Sequence, residues 1–597
     1  MNGYRMGAGL AALGLLLAAC GGAAQTAAPA NPAAPSPQPL KAEGEEECPK
    51  RRFPLAEPDY SAKRPRDLTP FAAALAHLTD DRCAELDALL LEASLPAIQS
   101  SLDDRRLTSV ELVAYYVDRV ARYDVGRLNA VMELNPDALA VAAALDAERS
   151  AAGPRGPLHG IPVLLKDNIA TADGLRTTAG AWALREWRPD RDAFLVARLR
   201  EAGAIILGKT NLSEWANYTD PCLPNGFSAL GGQTQSPYGP FDPSGSSTGS
   251  AVAVAANLAP VSVGSETQGS IIWPARDHSL VGLKTSLGLV SRGGVVPLVD
   301  WMDVPGPFGR RVEDVAILLS VLAAPGPKGA DPDDPATADA APLAGRDFTR
   351  YLTPEAARKV RVGVIVVSDA GVAGALAARE RELGRPLAAA EASEIREAIT
   401  EVGEGEALMA ALQSQGVTTV AIPFAAATRI SAPDVMPVLE YGFRDSLDRF
   451  LGGWAAGAPV RSLAEVVALN AADPANRAPY GYRYVAGSAA TTLTAAEYAA
   501  LREANVTAAR EAIRSLLREY KVDVLAGHVD QSYAAAGFPA LAVPNGLNDA
   551  GHPIGIVFTG DYLSEPQLLA VGAAFERARH GRVAPDLDVV ALALPPR

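Results

Sequence analysis

A lysine at the end of a buried strand is the first residue of this sequence that could do chemistry. Residues 160–169 read GIPVLLKDNI, so Lys166 directly follows five apolar residues. Desolvation at such a position favours the neutral amine, which can act as a general base. The alternative is that the side chain extends past the strand end and places its ammonium group in solvent. This segment alone leaves both interpretations open.

Two segments rich in glycine and serine could supply the nucleophile and an anion site. Residues 243–250 read PSGSSTGS, and residues 264–275 read GSETQGSIIWPA. Successive backbone N–H groups that turn inward form an anion-binding nest, and Gly269 would allow a substrate to approach the backbone closely. Such a nest suits the oxyanion of a tetrahedral intermediate, although loops of this composition are also common as simple turns.

Together these segments resemble the amidase signature family, over about residues 89–560. The further matching motifs are GQT at 232–234 before PY at 237–238, DVPGP at 303–307, AGFPA at 536–540, VP at 543–544 and Gly546. The resemblance implies one large α/β domain, with a twisted mixed β-sheet and helices on both faces. It also implies a hydrolase that acts on linear amide C–N bonds without a metal or an organic cofactor.

The resemblance implies a Ser-Ser-Lys catalytic triad of Lys166, Ser246 and Ser270. A serine hydroxyl is a poor nucleophile until a base takes its proton, and none of the three segments contains a histidine. In such a triad neutral Lys166 acts through the bridging Ser246, and Ser270 attacks the carbonyl carbon to form an acyl-serine. A cis peptide bond before Ser246 is also implied.

The same resemblance assigns the oxyanion hole to the backbone N–H groups of Thr267, Gln268, Gly269 and Ser270. After the attack, Lys166 would return the proton through Ser246 to the leaving amine. Water would then hydrolyse the acyl-serine.

Three residues of the second segment depart from the common family pattern. That pattern has Asp, Gly and Arg where this chain has Glu266, Gln268 and Ile272. The form found here resembles the branch that contains the peptide amidases, which release ammonia from C-terminally amidated peptides. The segments GLVSR at 288–292 and EYGFR at 440–444 point to the same branch. We therefore expect a small-molecule or peptide amide as substrate; C-terminal peptide amides, acylated amines and aryl amides all stay open.

The hydrophobic pattern predicts the elements that would position these residues. An amphipathic helix pair begins near residue 89, and Thr108 and Glu111 supply a capping signal for its second helix. Further helices are predicted over 136–151, 192–202, 251–258 and 312–322, and strands over 128–134, 161–165, 204–208, 261–264, 360–367 and 554–558 and near Leu280, Leu289 and Val295. This alternation favours a body built around a sheet. Residues 369–415 and 438–520 could form a helical cap, and residues 323–343 a surface excursion.

Composition and charge exclude several classes of protein. The 597 residues are 48% apolar and 21% charged, which is typical of a folded globular protein and not of a coiled coil, a collagen or a disordered chain. The net charge of −15 repels phosphate backbones, so we expect no nucleic-acid partner. Neither Cys-x-x-Cys nor His-Glu-x-x-His occurs, so no metal site is indicated. The oligomeric state is not indicated either.

The N-terminus has the pattern of a lipoprotein export signal. Residues 1–19 contain Arg5 and an apolar run over 8–19, shorter than the roughly 20 residues of a membrane-spanning helix. The run ends in LAAC, which resembles the bacterial lipobox and implies lipidation of Cys20. A chance cysteine after an ordinary signal peptide is the alternative. We expect an exported protein, lipid-anchored to the bacterial membrane; Gly21 is compatible with the outer membrane, facing the periplasm.

The domain boundaries follow from the export signal, from composition and, for the catalytic domain, from the family resemblance. Residues 1–19 would be the signal peptide, 20–48 a flexible tether, 49–88 an N-terminal extension and 89–585 the catalytic domain. The lipobox and the negative charge disfavour an intracellular tRNA-dependent amidotransferase subunit.

Three cysteines remain if Cys20 is lipidated, in a compartment that permits disulfides. Cys48 with Cys83 is the preferred pair, with Cys222 as a thiol, although the sequence leaves the pairing open.

Two other functions stay open. Residues 245–249 fit Gly-x-Ser-x-Gly, which would make Ser247 the nucleophile of an α/β-hydrolase-type esterase with His528 or His552 as base. That nucleophile elbow requires a strand directly before it. The second alternative is a non-catalytic surface lipoprotein that binds an amide or a peptide. The presence of Lys166, Ser246 and Ser270 argues against it.

Overall fold

Strands of one mixed β-sheet run through the molecule between two layers of helices. A computed structural model describes residues 48, 51–326, 329–389, 391–393, 396, 405–427, 435–527 and 531–593. The strands are β1 (Val131–Leu134), β2 (Pro162–Lys166), β3 (Ile205–Thr210), β4 (Phe227–Ser228), β5 (Gly232–Gln233), β6 (Val261–Glu266), β7 (Val281–Lys284), β8 (Val304–Gly309), β9 (Arg361–Val366), β10 (Thr418–Pro423), β11 (Val524–Gly527), β12 (Ala540–Leu547) and β13 (Pro553–Gly560).

Within the described residues, eleven strands pair in the order β1-β3-β2-β6-β8-β7-β12-β13-β11-β9-β10. Strand β2 is parallel to both β3 and β6, and β9 is parallel to β10 and β11. The other pairs of this sheet are antiparallel, while β4 and β5 form a separate hairpin. Because β2 and β6 are parallel, their carboxyl ends, at Lys166 and Glu266, lie at the same edge of the sheet.

The α-helices of the described residues include Ala72–His77, Asp80–Leu90, Leu95–Asp103, Ser109–Arg119, Ala138–Ala152, Phe194–Glu201, Thr248–Ala255, Ile272–Asp277, Val312–Leu322, Ala336–Asp339, Pro354–Arg358, Asp369–Leu383, Gly405–Ser414, Phe424–Ala427, Met436–Gly452, Leu463–Ala472, Pro474–Arg477, Arg483–Ala490, Ala495–Tyr520, Ser532–Ala536, Glu565–Arg579 and Leu587–Ala593. None of the helices in this part of the chain combines the length and apolar composition that a membrane span requires.

Alternating side chains of the strands supply two hydrophobic cores, one on each face of the sheet. In β12, Leu541 and Val543 belong to one core and Ala540 and Ala542 to the other, as the two-residue period of a strand requires. The first core includes the helices 109–119, 312–322 and 565–579, and the second includes the helices 436–452 and 495–520. The predicted fold, one large α/β domain with helices on both faces of a mixed sheet, is confirmed.

Several local predictions are corrected by the structure. Leu289 and Val295 lie in loops, where Val295 forms only an isolated bridge with Ile169. The excursion predicted at 323–343 does lie largely at the surface where the structure describes it, and the buried carboxylates of Asp331 and Asp334 tie it to the body by hydrogen bonds from residues 291–292.

The predicted N-terminal extension packs against the body. Phe71 and Leu86 are fully buried in the first core. Upstream, the Glu57 carboxylate accepts the backbone N–H of Gln233 at 2.8 Å, and the Arg64 N–H donates to Leu230 O at 2.9 Å. This part of the chain therefore runs beside the β4–β5 hairpin.

The preferred disulfide is wrong: Cys48 pairs with Cys222, and Cys83 is the free thiol. The path of the N-terminal extension explains this pairing, because the Arg51 guanidinium donates to Cys222 O and thereby holds the start of the extension against that loop. Cys83 instead lies on the helix Asp80–Leu90.

The predicted signal peptide at 1–19 and the lipidation site Cys20 lie outside the described residues, as does the predicted tether except for Cys48.

Candidate active site

Lys166 is the last residue of β2, and its side chain is completely buried. Residues 163–165 ahead of it are also fully buried, so the strand delivers the amine into the interior and not into solvent. Burial lowers the pKa of Lys166 to about 7, against the opposite influence of the Asp303 and Glu266 carboxylates. The neutral amine, which is the form that can act as a base, is therefore accessible near neutral pH.

Three oxygen atoms surround the Lys166 Nζ. They are Ser246 Oγ at 2.9 Å, Ser247 Oγ at 3.0 Å and Ser265 O at 3.0 Å. The carbonyl of Ser265 can only accept. Ser247 Oγ donates its one proton to that same carbonyl at 2.9 Å, so toward the lysine it also accepts. The two N–H bonds of a neutral amine are then both used, and its lone pair is left to accept the hydroxyl proton of Ser246.

The backbone of Ser246 is fixed by the peptide bond before it, by a hydrogen bond to its carbonyl and by the helix that follows. The peptide bond between Gly245 and Ser246 is cis, as the resemblance implied. The Ser246 carbonyl accepts the backbone N–H of Ser213 at 3.1 Å, and the helix Thr248–Ala255 begins two residues later. Ser246 is fully buried, which suits a group that passes protons without being reached by the substrate.

Ser270 lies in the loop between β6 and the helix Ile272–Asp277. Its carbonyl accepts the backbone N–H of Ser247 at 3.2 Å, so this loop is tied directly to the segment that carries Ser246. Ser270 is 6% exposed, whereas Ser246 and Lys166 are 0% exposed. Of the three predicted triad residues, the predicted nucleophile is therefore the one closest to solvent.

The Glu266 carboxylate organises the predicted oxyanion loop. Its oxygens accept the backbone N–H groups of Gly269 at 2.8 Å, Ile271 at 2.7 Å and Ile272 at 3.0 Å. Gly269 has a φ of +81°, and a side chain there would collide with Trp273, so the tight turn requires glycine. Because the Gly269 N–H points to Glu266 here, Thr267, Gln268 and Ser270 stay the predicted oxyanion donors.

Asp303, the first residue of the DVPGP motif at 303–307, contacts the same loop. The Thr267 hydroxyl donates to its Oδ1, and the backbone N–H groups of Leu298 and Val299 donate to its Oδ2 at 2.8 and 2.9 Å. Burial raises the pKa of Asp303 to about 6. The DVPGP motif at 303–307 pointed to this segment, but nothing in the sequence assigned the Asp303 carboxylate a contact with Thr267.

The surroundings of Ser247 do not fit the nucleophile of an α/β-hydrolase-type esterase. This hydroxyl is fully buried and donates to Ser265 O. The nearest preceding strand is β5, which ends at Gln233, so no strand leads directly into a nucleophile elbow. His552 packs against the ring of Phe241, and His528 lies outside the described residues. Among the residues that the structure covers, no cluster of three or more His, Cys, Asp or Glu could hold a metal ion.

Comparison with known proteins identifies the family. The family model described as Amidase matches residues 111–401. A probable amidase of Arabidopsis thaliana is 36% identical over 499 residues, which cover 82% of this chain and 90% of that relative. Two solved structures are similar along nearly their whole length.

The native peptide amidase from Stenotrophomonas maltophilia is 37% identical with a TM-score of 0.72, over 83% of this chain and 99% of that chain. An amidase family protein from Bacillus anthracis is 33% identical with a TM-score of 0.77, over 89% of this chain and 100% of that chain. The chain therefore belongs to the amidase family, the amidase signature enzymes, and is an enzyme that hydrolyses amides.

Proposed function

We propose that Lys166, Ser246 and Ser270 are the catalytic triad and that the enzyme hydrolyses linear carboxamides through an acyl-serine intermediate. The observation that carries this proposal is the hydrogen bond of 2.9 Å between Lys166 Nζ and Ser246 Oγ, made by a buried lysine whose other two contacts accept its N–H groups. A neutral amine in this position is a base directed at Ser246.

The reaction then proceeds in two halves. Ser246 gives its proton to Lys166 and takes the proton of Ser270, whose Oγ bonds to the carbonyl carbon. The oxyanion forms facing the N–H groups of Thr267, Gln268 and Ser270. Collapse of the intermediate breaks the C–N bond, and the proton held by Lys166 passes through Ser246 to the leaving amine. Water repeats the same steps on the acyl-serine and releases the acid.

We propose the C-terminal carboxamide of a peptide as the substrate. Support comes from the 37% identity to the peptide amidase from Stenotrophomonas maltophilia and from the Glu-Thr-x-Gly-Ser-Ile form of residues 266–271. The products would be a peptide acid and ammonia.

Ammonia release from a panel of amides tests this assignment. The panel contains peptide amides, fatty amides and anilides, and Ser270→Ala is the blank. We expect peptide amides to be cleaved fastest and Ser270→Ala to lose on the order of 10⁴-fold or more in kcat. Ser150→Ala, which changes an exposed serine of the helix Ala138–Ala152, is the matched control and should keep full activity.

A fluorophosphonate probe distinguishes an enzyme from a binding protein without any knowledge of the substrate. The probe should label the wild-type protein and leave Ser270→Ala unlabelled. An unlabelled wild-type protein that still binds peptide amides would support the non-catalytic alternative instead.

We propose further that the enzyme is exported, is lipid-anchored through Cys20 and acts on amides that reach the periplasm. The support is the run of apolar residues over 8–19 that ends in LAAC.

A further inference from the structure

Asp303 has two carboxylate oxygens that bind two different parts of the molecule. Oδ1 accepts the hydroxyl of Thr267, three residues before Ser270. Oδ2 accepts the backbone N–H groups of Leu298 and Val299, at the start of the turn that leads back to Asp303. Only 7% of the residue is exposed, so the carboxylate gains little from water and depends on these donors.

The turn at 298–303 is packed beneath two long helices, Met436–Gly452 and Ala495–Tyr520, which we call the cap helices. The backbone N–H of Asp300 donates to Ser446 Oγ at 3.2 Å, and Trp301 Nε1 donates to the Tyr498 hydroxyl at 3.0 Å. Gly442 lies against Val299 so closely that a side chain there would approach the valine methyl groups to 3.1 Å. The turn is therefore in direct contact with both cap helices.

On its other side, Asp303 is hydrogen-bonded to Thr267, in the loop after β6 that carries Ser270. Thr267 follows Glu266 directly, and Glu266 binds the backbone of Gly269 and Ile271 on either side of Ser270. The position of Thr267 therefore sets where the loop leaves β6 and enters the turn that carries Ser270. The charge of Asp303 also acts on the site, because it raises the pKa of Lys166.

We propose that Asp303 is a positioning residue that couples the cap helices to the loop that carries Ser270. The inference rests on the proposed function, because it assigns Ser270 the role of nucleophile. Asp303 does not touch the reacting atoms. It fixes Thr267 relative to the turn beneath the cap, so that a substrate which changes the packing of the cap also changes the placement of the nucleophile.

The rate of Ser270 labelling by a fluorophosphonate, measured as a function of pH, tests the role of Asp303. In Asp303→Asn the side-chain NH₂ faces either Thr267 or the two backbone donors and cannot accept from them. We expect labelling to slow by about tenfold, as for other small displacements of a reacting group. The midpoint of the pH profile should also fall, because a charge that favours protonated Lys166 is lost. Arg292 and Asp300 also face Asp303, and both remain in this variant.

Matched variants separate positioning from a general loss of structure. Thr267→Val should slow labelling about as much as Asp303→Asn, whereas Thr267→Ser keeps the hydroxyl and should restore most of the rate. Asp300→Asn makes the same change of charge in the same turn, at a side chain that forms an exposed ion pair with Arg449, and should stay within about twofold of wild type. If Asp303→Asn does not fold, the two Thr267 variants still decide the outcome.

A double-mutant cycle tests the coupling to the cap. Trp301→Phe removes the hydrogen bond to Tyr498 and should slow labelling about threefold in the wild-type background, but should have no further effect in Asp303→Asn. If the double variant instead slows by the product of the two single-variant factors, the two residues act independently and the proposed coupling is wrong. Wild-type rates and an unchanged pH midpoint in Asp303→Asn would overturn the positioning role. Failure of the wild-type protein to label at Ser270 would instead overturn the proposed triad.

Discussion

The protonation state of Lys166 determines how the reaction should depend on pH. Burial lowers its pKa to about 7, and only the neutral amine can accept the proton of Ser246. We expect kcat/KM to rise about tenfold per pH unit below pH 7 and to level off above it. The measurement is kcat/KM on an amide that carries no titratable group, over about pH 5 to 9. Maximal activity on the acid side of this range would contradict Lys166 as the base.

Lys166 is hydrogen-bonded to the hydroxyls of Ser246 and Ser247, and removal of each hydroxyl should lower the activity by a different amount. Ser246→Ala breaks the proton path and should lower kcat by on the order of 10³-fold or more. Ser247→Ala removes an acceptor of Lys166 and a partner of the Ser265 backbone, so we expect a loss of about tenfold. Comparison of kcat for the two variants, with thermal unfolding to check that both fold, tests this order. An esterase that used Ser247 as nucleophile would reverse it.

The proposed catalytic residues could be predicted from the sequence, whereas the disulfide pairing could not. Lys166, Ser246 and Ser270 stand in segments whose composition is unusual, and the structure brings Lys166 within 2.9 Å of Ser246. The use of the Gly269 N–H by Glu266 could not be foreseen, because it depends on where one carboxylate turns within a loop.

At the scale of elements, apolar periodicity predicted the helices well and part of the sheet. The predicted helix at 312–322 has the observed bounds, and the pattern around Thr108 gives the observed capping box. Strand β8 was missed because VPGPFG contains two prolines and two glycines, which disfavour strands. Its place between β6 and β7 comes from long-range pairing, which local sequence does not encode.

Removal of the disulfide between Cys48 and Cys222 should lower the stability of the fold. Cys48 and Cys222 are 174 residues apart in the sequence, and a cross-link over so long a loop stabilises a protein by about 2–5 kcal/mol. Cys48→Ser should therefore lower the unfolding temperature measured under oxidising conditions. Cys83→Ser changes the free thiol and should leave that temperature nearly unchanged. Equal unfolding temperatures for wild type and Cys48→Ser would refute this expectation.

At the scale of the whole molecule, the proposed anchor at Cys20 would decide where the enzyme works. If Cys20 is lipidated, the wild-type protein made in a bacterial host should incorporate labelled palmitate and sediment with membranes. Cys20→Ala should do neither and should keep the specific activity of the catalytic body. Release of the wild-type protein as a soluble species without label would favour an ordinary signal peptide.

The order of strands in the sheet has a consequence for how the molecule can be assembled during synthesis. Strands β12 and β13 come last in the chain, yet they stand between β7 and β11 and so join the half that holds Lys166 and Ser270 to the half built on β9. A ribosome or a translocation channel delivers residues 540–560 only after nearly everything else has emerged. Until then β7 presents an unpaired edge to other chains. A chain that stops before residue 540 should therefore be recovered as aggregate, because the half that holds Lys166 and Ser270 keeps its open edge until the final hairpin arrives.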